Sequence, residues 1–139
     1  TLYQSRILEH NRSPHNRFRL DHATHRARGL DALCGDDLWI WLELRHGIIE
    51  RASWTGEACV ITTASASMLT DWMTGKTLAE VVAGDRRFRD LLRDPALADD
   101  DQLGELNGLR PVHAFPSRVR NALLPWTTTL QAIRQGSNE

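Results

Sequence analysis

Two cysteines carry the chemistry of this chain. Cys34 stands in "LCGDD", directly before Gly35 and two residues before Asp36, and Cys59 closes "GEAC" with twenty-four residues between the two. Thiolate is a soft metal ligand and also the form of cysteine that attacks sulfur. Cys34, Asp36 and Cys59 would supply three of the four ligands of a tetrahedral zinc site, or an incomplete shell for an iron–sulfur cluster. The fourth would be water, a histidine or a side chain from late in the sequence. Gly35 permits the turn that would aim Cys34 and Asp36 at one ion. Two widely spaced cysteines suit buried small apolar residues equally well, so the pair alone leaves both readings open.

Whether the two thiols meet depends on the elements that carry them. In "DLWIWLEL" the residues Leu38, Ile40, Leu42 and Leu44 alternate with Trp39, Trp41 and Glu43, which predicts a strand. His46-Gly47 supplies a turn into a second strand over 48–54, and such a hairpin returns the chain to its starting end. Cys34 and Cys59 are then expected at one tip. From "TGEACVITTASASMLTDWMTG" onward the period becomes helical: Ile61, Ala64, Met68, Leu69 and Trp72 share a face, and Gly75 is a stop. Cys59 falls just before this helix, where the partial positive charge of a helix N-terminus favours thiolate.

The remaining elements follow from period and punctuation. Leu2, Tyr3, Ile7 and Leu8 predict a first amphipathic helix closed by Pro14, and residues 15–32, with no sustained period, read as extended loop. Thr77 and Glu80 form a capping-box pattern that opens a helix ending near Gly84. "DRRFRDLLRD" is a separate helical segment with Phe88, Leu91 and Leu92 inward. Residues 95–111 read as a connection broken by Pro95, Gly104 and Gly108, and a closing helix takes Pro125 in its first turn. The order helix, sheet, helices indicates an α+β fold with helices on one face of a small antiparallel sheet. No repeat or linker divides the chain, so residues 1–139 are expected to form one domain.

Composition narrows the partners. A net charge of -1 and a pI near 6.6 lack the basic stripe of a nucleic-acid binder. The local basic stretches "NRSPHNRFRL" and "HRAR" read as solvated surface or as a docking face for an acidic protein. No apolar run approaches the roughly 20 residues of a membrane span, and no signal-peptide pattern opens the chain, so a cytoplasmic protein with no membrane partner is expected. In a reducing compartment two cysteines beside an aspartate point to metal binding or reactivity rather than to a disulfide.

The blocks "LCGDD", "GEACVITTASASMLTDWMTGKTL" and "FPSRVRNALLPW", in this order, resemble the iron–sulfur cluster scaffold family that includes SufU, IscU and the N-terminal domain of NifU. "LYQSRILEHNRSPHN" is similar to the family's first helix and Pro-x-Asn element, and the extra segment between Gly75 and Leu109 resembles the insertion of the SufU branch. The resemblance implies an α+β domain with a three-stranded antiparallel sheet. It also implies zinc or a cluster held by three cysteines and an aspartate, and sulfur taken from a partner cysteine desulfurase. By position the ligands would be Cys34, Asp36 and Cys59, acting also as sulfur acceptors through the two thiols.

The third cysteine falls where this chain has Asn121, a neutral, hard donor and a poor substitute for thiolate. Zinc or a cluster is therefore expected to be held weakly or not at all. Arg120 stands where IscU members have histidine, and His113, eight residues upstream of Asn121, is the candidate substitute ligand. Arg118 and Arg120 are expected to steer an acidic partner surface, and His22 and His25 to be surface residues. Three functions follow. One is a non-enzymatic sulfur acceptor or scaffold, monomer or weak dimer, working with a desulfurase and other assembly proteins. Another is a degenerate homologue that binds and regulates such proteins. The third is a hydrolytic metal site, for which only Asp37 and Glu57 offer a general base.

Overall fold

The computed structural model describes residues 2–136. The expected alternation forms a three-stranded antiparallel sheet in the order β1 (His25–Asp31), β2 (Asp36–Arg45), β3 (Ile48–Glu57). Leu38, Ile40 and Leu42 are fully buried on its inner face, with Ile40 opposite Ala27 on one side and Trp54 on the other. His46 and Gly47 turn the β2–β3 hairpin with φ of 55° and 79°, the doubly left-handed geometry that matches strand twist. Helix α1 (Leu2–Arg12) precedes the sheet; α2 (Val60–Met73), α3 (Leu78–Arg93) and α4 (Pro116–Gln135) follow it. Of the first helix's expected apolar stripe, Ile7 is buried and Leu8 is half exposed, while Leu2 and Tyr3 lie outside the described side chains.

Helix α2 is the centre of the molecule. Residues 62–70 are buried without a break, so the helix is enclosed on all sides, which the small side chains of "TTASAS" allow. Trp54, Trp126 and Phe88 are the bulkiest fully buried side chains around it. The capping box at α3 is present as expected, with Glu80 N–H on Thr77 Oγ1 and Thr77 N–H on Glu80 Oε1.

Four segments differ from their sequence reading, each for a physical reason. Residues 25–31, read as loop, form β1: they alternate in burial, but the inward side chains are His25, Ala27, Gly29 and Asp31 and carry almost no hydrophobic signal. Gly29 is bare because α4 crosses there, and a Cβ would meet the Thr128 hydroxyl. His25, expected on the surface, is therefore buried, while His22 is exposed. Helix α3 runs through Gly84 without stopping, because the Trp72 indole packs where a side chain would stand.

Residues 101–114, read as a connection, form a 3-10 segment kinked at Gly104. Its buried residues Leu103, Leu106, Leu109 and Val112 recur every third position, the repeat of three residues per turn rather than 3.6. Pro125 lies inside α4, which starts at Pro116. An interior proline frees the carbonyl four residues earlier, at about 3 kcal/mol. That carbonyl belongs to Asn121, and the Thr62 hydroxyl of α2 lies 3.3 Å from it, while Ser65 Oγ donates to the neighbouring Ala122 carbonyl at 2.7 Å. The central helix thus packs against these carbonyls of α4 and fixes where residue 121 sits.

Candidate functional site

The hairpin brings its two open ends to one tip. Asp37 pairs with Glu57, so Asp36 and Cys59 adjoin, and Cys59 N–H donates to Asp36 Oδ1 at 2.8 Å. Cys59 is the N-cap of α2 and is half buried. Its sulfur lies 3.8 Å from Asp36 Oδ2 and 3.3 Å from Thr62 Oγ1. Asp36 is only 2 % exposed, and Oδ2 also receives the Thr62 hydroxyl at 2.6 Å and the Asn121 amide N–H at 3.1 Å. A buried carboxyl group needs such donors, and both of its oxygens have them.

Cys34 reaches the same tip from the turn between β1 and β2, where Gly35 has a φ of 73°. It is exposed, and its sulfur lies 3.8 Å from Asn121 Oδ1. Asn121, 4 % exposed, thus spans the site: its carbonyl faces one thiol and its amino group donates to the carboxyl that holds the other. Asp31 Oδ1 accepts Leu33 N–H at 3.0 Å and Cys34 N–H at 3.4 Å, fixing the turn. Asp31 Oδ2 accepts Arg120 Nε at 2.8 Å, and Arg120 Nη2 lies 3.9 Å from Cys34 Sγ. The Arg120 guanidinium holds the Asp31 carboxyl below the usual carboxylate range against the opposing effect of burial, with the two backbone donors adding to it.

Cys34, Asp36, Cys59 and Asn121 are therefore brought together, and the other candidates are not among them. His113 is exposed in the 3-10 segment, on the wall of a 740 Å³ cleft with Arg6 and Pro111. Arg118 stacks its guanidinium over Phe115, 4.8 Å from the ring centroid, and lines a 650 Å³ cleft with Leu8, Cys59, Val60, Ile61 and Asn121. Asp37 is paired with Arg28 at 2.6 Å, and Glu57 is exposed beside Arg17. Sequence reasoning missed Thr62 and Asp31. Thr62 stands three residues after Cys59, one helical turn on, and Asp31 three before Cys34, the spacing of a side chain capping its own turn.

A resident metal does not fit this donor set. Asp36 commits both oxygens to protein donors, and Asn121 turns an amino group toward the carboxyl and a hard carbonyl oxygen toward Cys34. A tetrahedral zinc needs free lone pairs converging on one point, and no group of three His, Cys, Asp or Glu side chains converges so among the described residues. Among the described residues no helix is long and apolar enough to cross a membrane.

Known proteins resemble this one over nearly its whole length. The chain is 32% identical over 140 residues to the zinc-dependent sulfurtransferase SufU of Bacillus subtilis, covering 99% of this chain and 95% of that protein. It is 29% identical to the iron–sulfur cluster assembly scaffold protein IscU of Streptococcus pyogenes, over 99% and 86% of the two chains. The crystal structure of a NifU-like N-terminal domain from Brucella abortus, 23% identical, shares the fold with a TM-score of 0.88 over 99% of this chain and 95% of that one. The family model of the NifU-like N-terminal domain matches residues 2–122, and the chain belongs to that family.

Proposed function

We propose that this protein is a sulfur acceptor of iron–sulfur cluster assembly, with Cys34 and Cys59 as its thiols and a cysteine desulfurase as its donor. Membership of a family whose relatives are named for sulfur transfer and cluster assembly supports the reading. The observation that carries it is the convergence of both cysteines on one tip around Asp36, with Cys34 open to a visiting partner. Asp36 organises the tip by anchoring Cys59, Thr62 and Asn121. With Asn121 in place of a third thiolate and both Asp36 oxygens committed to protein donors, zinc or a cluster has no complete ligand set at Cys34, Asp36 and Cys59. Arg118, exposed beside the cleft at Cys59, is the cation offered to a partner.

The test is persulfide mapping by mass spectrometry after incubation with a cysteine desulfurase and cysteine. One added sulfur on Cys34 or Cys59 is the expected result. A protein that binds the desulfurase, gains no sulfur and changes its rate would be a regulator, and the acceptor reading would fall.

A further inference from the structure

Cys34 has a neighbour that sulfur acceptance alone does not require. The buried Asp31 carboxyl holds Arg120 through Nε while capping the turn that carries Cys34, so one carboxyl fixes a thiol and a guanidinium relative to each other. The Nη2 group reaches to 3.9 Å from the sulfur, and Nη1 makes no hydrogen bond among the described residues. Arginine presents five N–H donors in a rigid fork. Donors therefore remain, beside an exposed sulfur, for an incoming anion. Among the described residues Cys59 has no such cation at its sulfur; its partners are Asp36 Oδ2 and Thr62 Oγ1.

We propose that Arg120, positioned by Asp31, is an anion-binding residue that holds the negatively charged sulfur group delivered to Cys34. This rests on the sulfur-acceptor reading and assigns Arg120 a role at the reacting atoms, where the sequence suggested a role on a partner surface. In the transfer, Cys34 Sγ attacks the terminal sulfur of a partner's cysteine persulfide anion. A sulfur–sulfur bond forms at Cys34 and the partner's breaks. The electron pair leaves with the partner's cysteine, which takes up the Cys34 thiol proton, and no net oxidation occurs. The negative charge ends on the new persulfide at Cys34, within reach of the Arg120 fork.

The test compares two thiol reagents on the purified protein in a Cys59→Ala background. One is dianionic dithiobis(nitrobenzoate) and the other is neutral dithiodipyridine. Their rate ratio cancels anything that changes the thiol itself or access to it. Arg120→Gln is expected to lower the anionic-to-neutral ratio about three- to fivefold, the size of an exposed charge interaction. Arg120→Lys should restore much of it, Asp31→Asn should lower it by releasing the guanidinium, and salt should weaken it in the unsubstituted protein. An unchanged ratio in Arg120→Gln, or equal slowing with both reagents, would overturn the proposal. A shifted ratio in a protein that accepts no persulfide would instead remove the sulfur-acceptor reading and leave the anion site standing.

Discussion

Cys34 and Cys59 share a tip but not an environment. Cys34 is exposed on a turn, with a guanidinium beside its sulfur and a neutral amide oxygen as its other contact. Cys59 is half buried at the start of the central helix, with a carboxyl oxygen and a hydroxyl against its sulfur. An incoming anion meets a guanidinium at the first and a carboxyl oxygen and a hydroxyl at the second. The fold leaves the Cys34 thiol open to solvent and makes Cys59 part of the frame. Asn121 connects them through its two ends.

The largest effect should come from breaking that asymmetry. Cys34→Ala is expected to remove most persulfide formation by a desulfurase, whereas Cys59→Ala should keep most of it; equal losses would erase the distinction. Next is Asn121→Cys, which removes the bridging amide and adds a thiolate. It should raise zinc affinity tenfold or more, roughly the scale on which groups supporting a metal site act; unchanged affinity by titration would mean that residue 121 does not face the tip. Asp36→Ala should lower stability by roughly 1–3 kcal/mol in chemical denaturation, because Thr62, Asn121 and the Cys59 N–H lose their common acceptor.

The smallest effect is a control away from both thiols. The hydrogen bond to Asp71, at 2.5 Å, raises the His15 pKa above its ordinary value of 6.5, outweighing desolvation. A raised folded-state pKa gives stability that is present below the unfolded value and is lost as pH rises through the folded one. The melting temperature should therefore fall more between pH of about 6 and about 9 in the unsubstituted protein than in His15→Gln. The ratio of reagent rates at Cys34 should be the same in both.

Much of this was legible in the sequence. Alternating Leu38, Ile40 and Leu42 with the His46-Gly47 turn located the hairpin, and the hairpin placed Cys34, Asp36 and Cys59 together. Asn121 stood out because a family pattern expects cysteine there. Hidden features were those whose signal is not hydrophobic. β1 faces inward through His25, Gly29 and Asp31, so its packing depends on what α4 presents across it. Pro125 reads as a helix start until Thr62 and Ser65 of α2 are seen beside the Asn121 and Ala122 carbonyls one turn earlier. Arg120 reads as a surface cation until Asp31, which lies eighty-nine positions earlier, is folded against it.

As proposed, the tip accepts sulfur at thiols framed by hydrogen bonds, with no need of a resident ion. The measurement is the rate of persulfide formation on Cys34 with a desulfurase, followed by mass spectrometry, for protein stripped with a chelator and for the same protein supplied with zinc. Equal rates are expected, with the stripped protein folded and melting at the same temperature. Loss of transfer on stripping, restored by zinc, would instead make the metal part of the acceptor site.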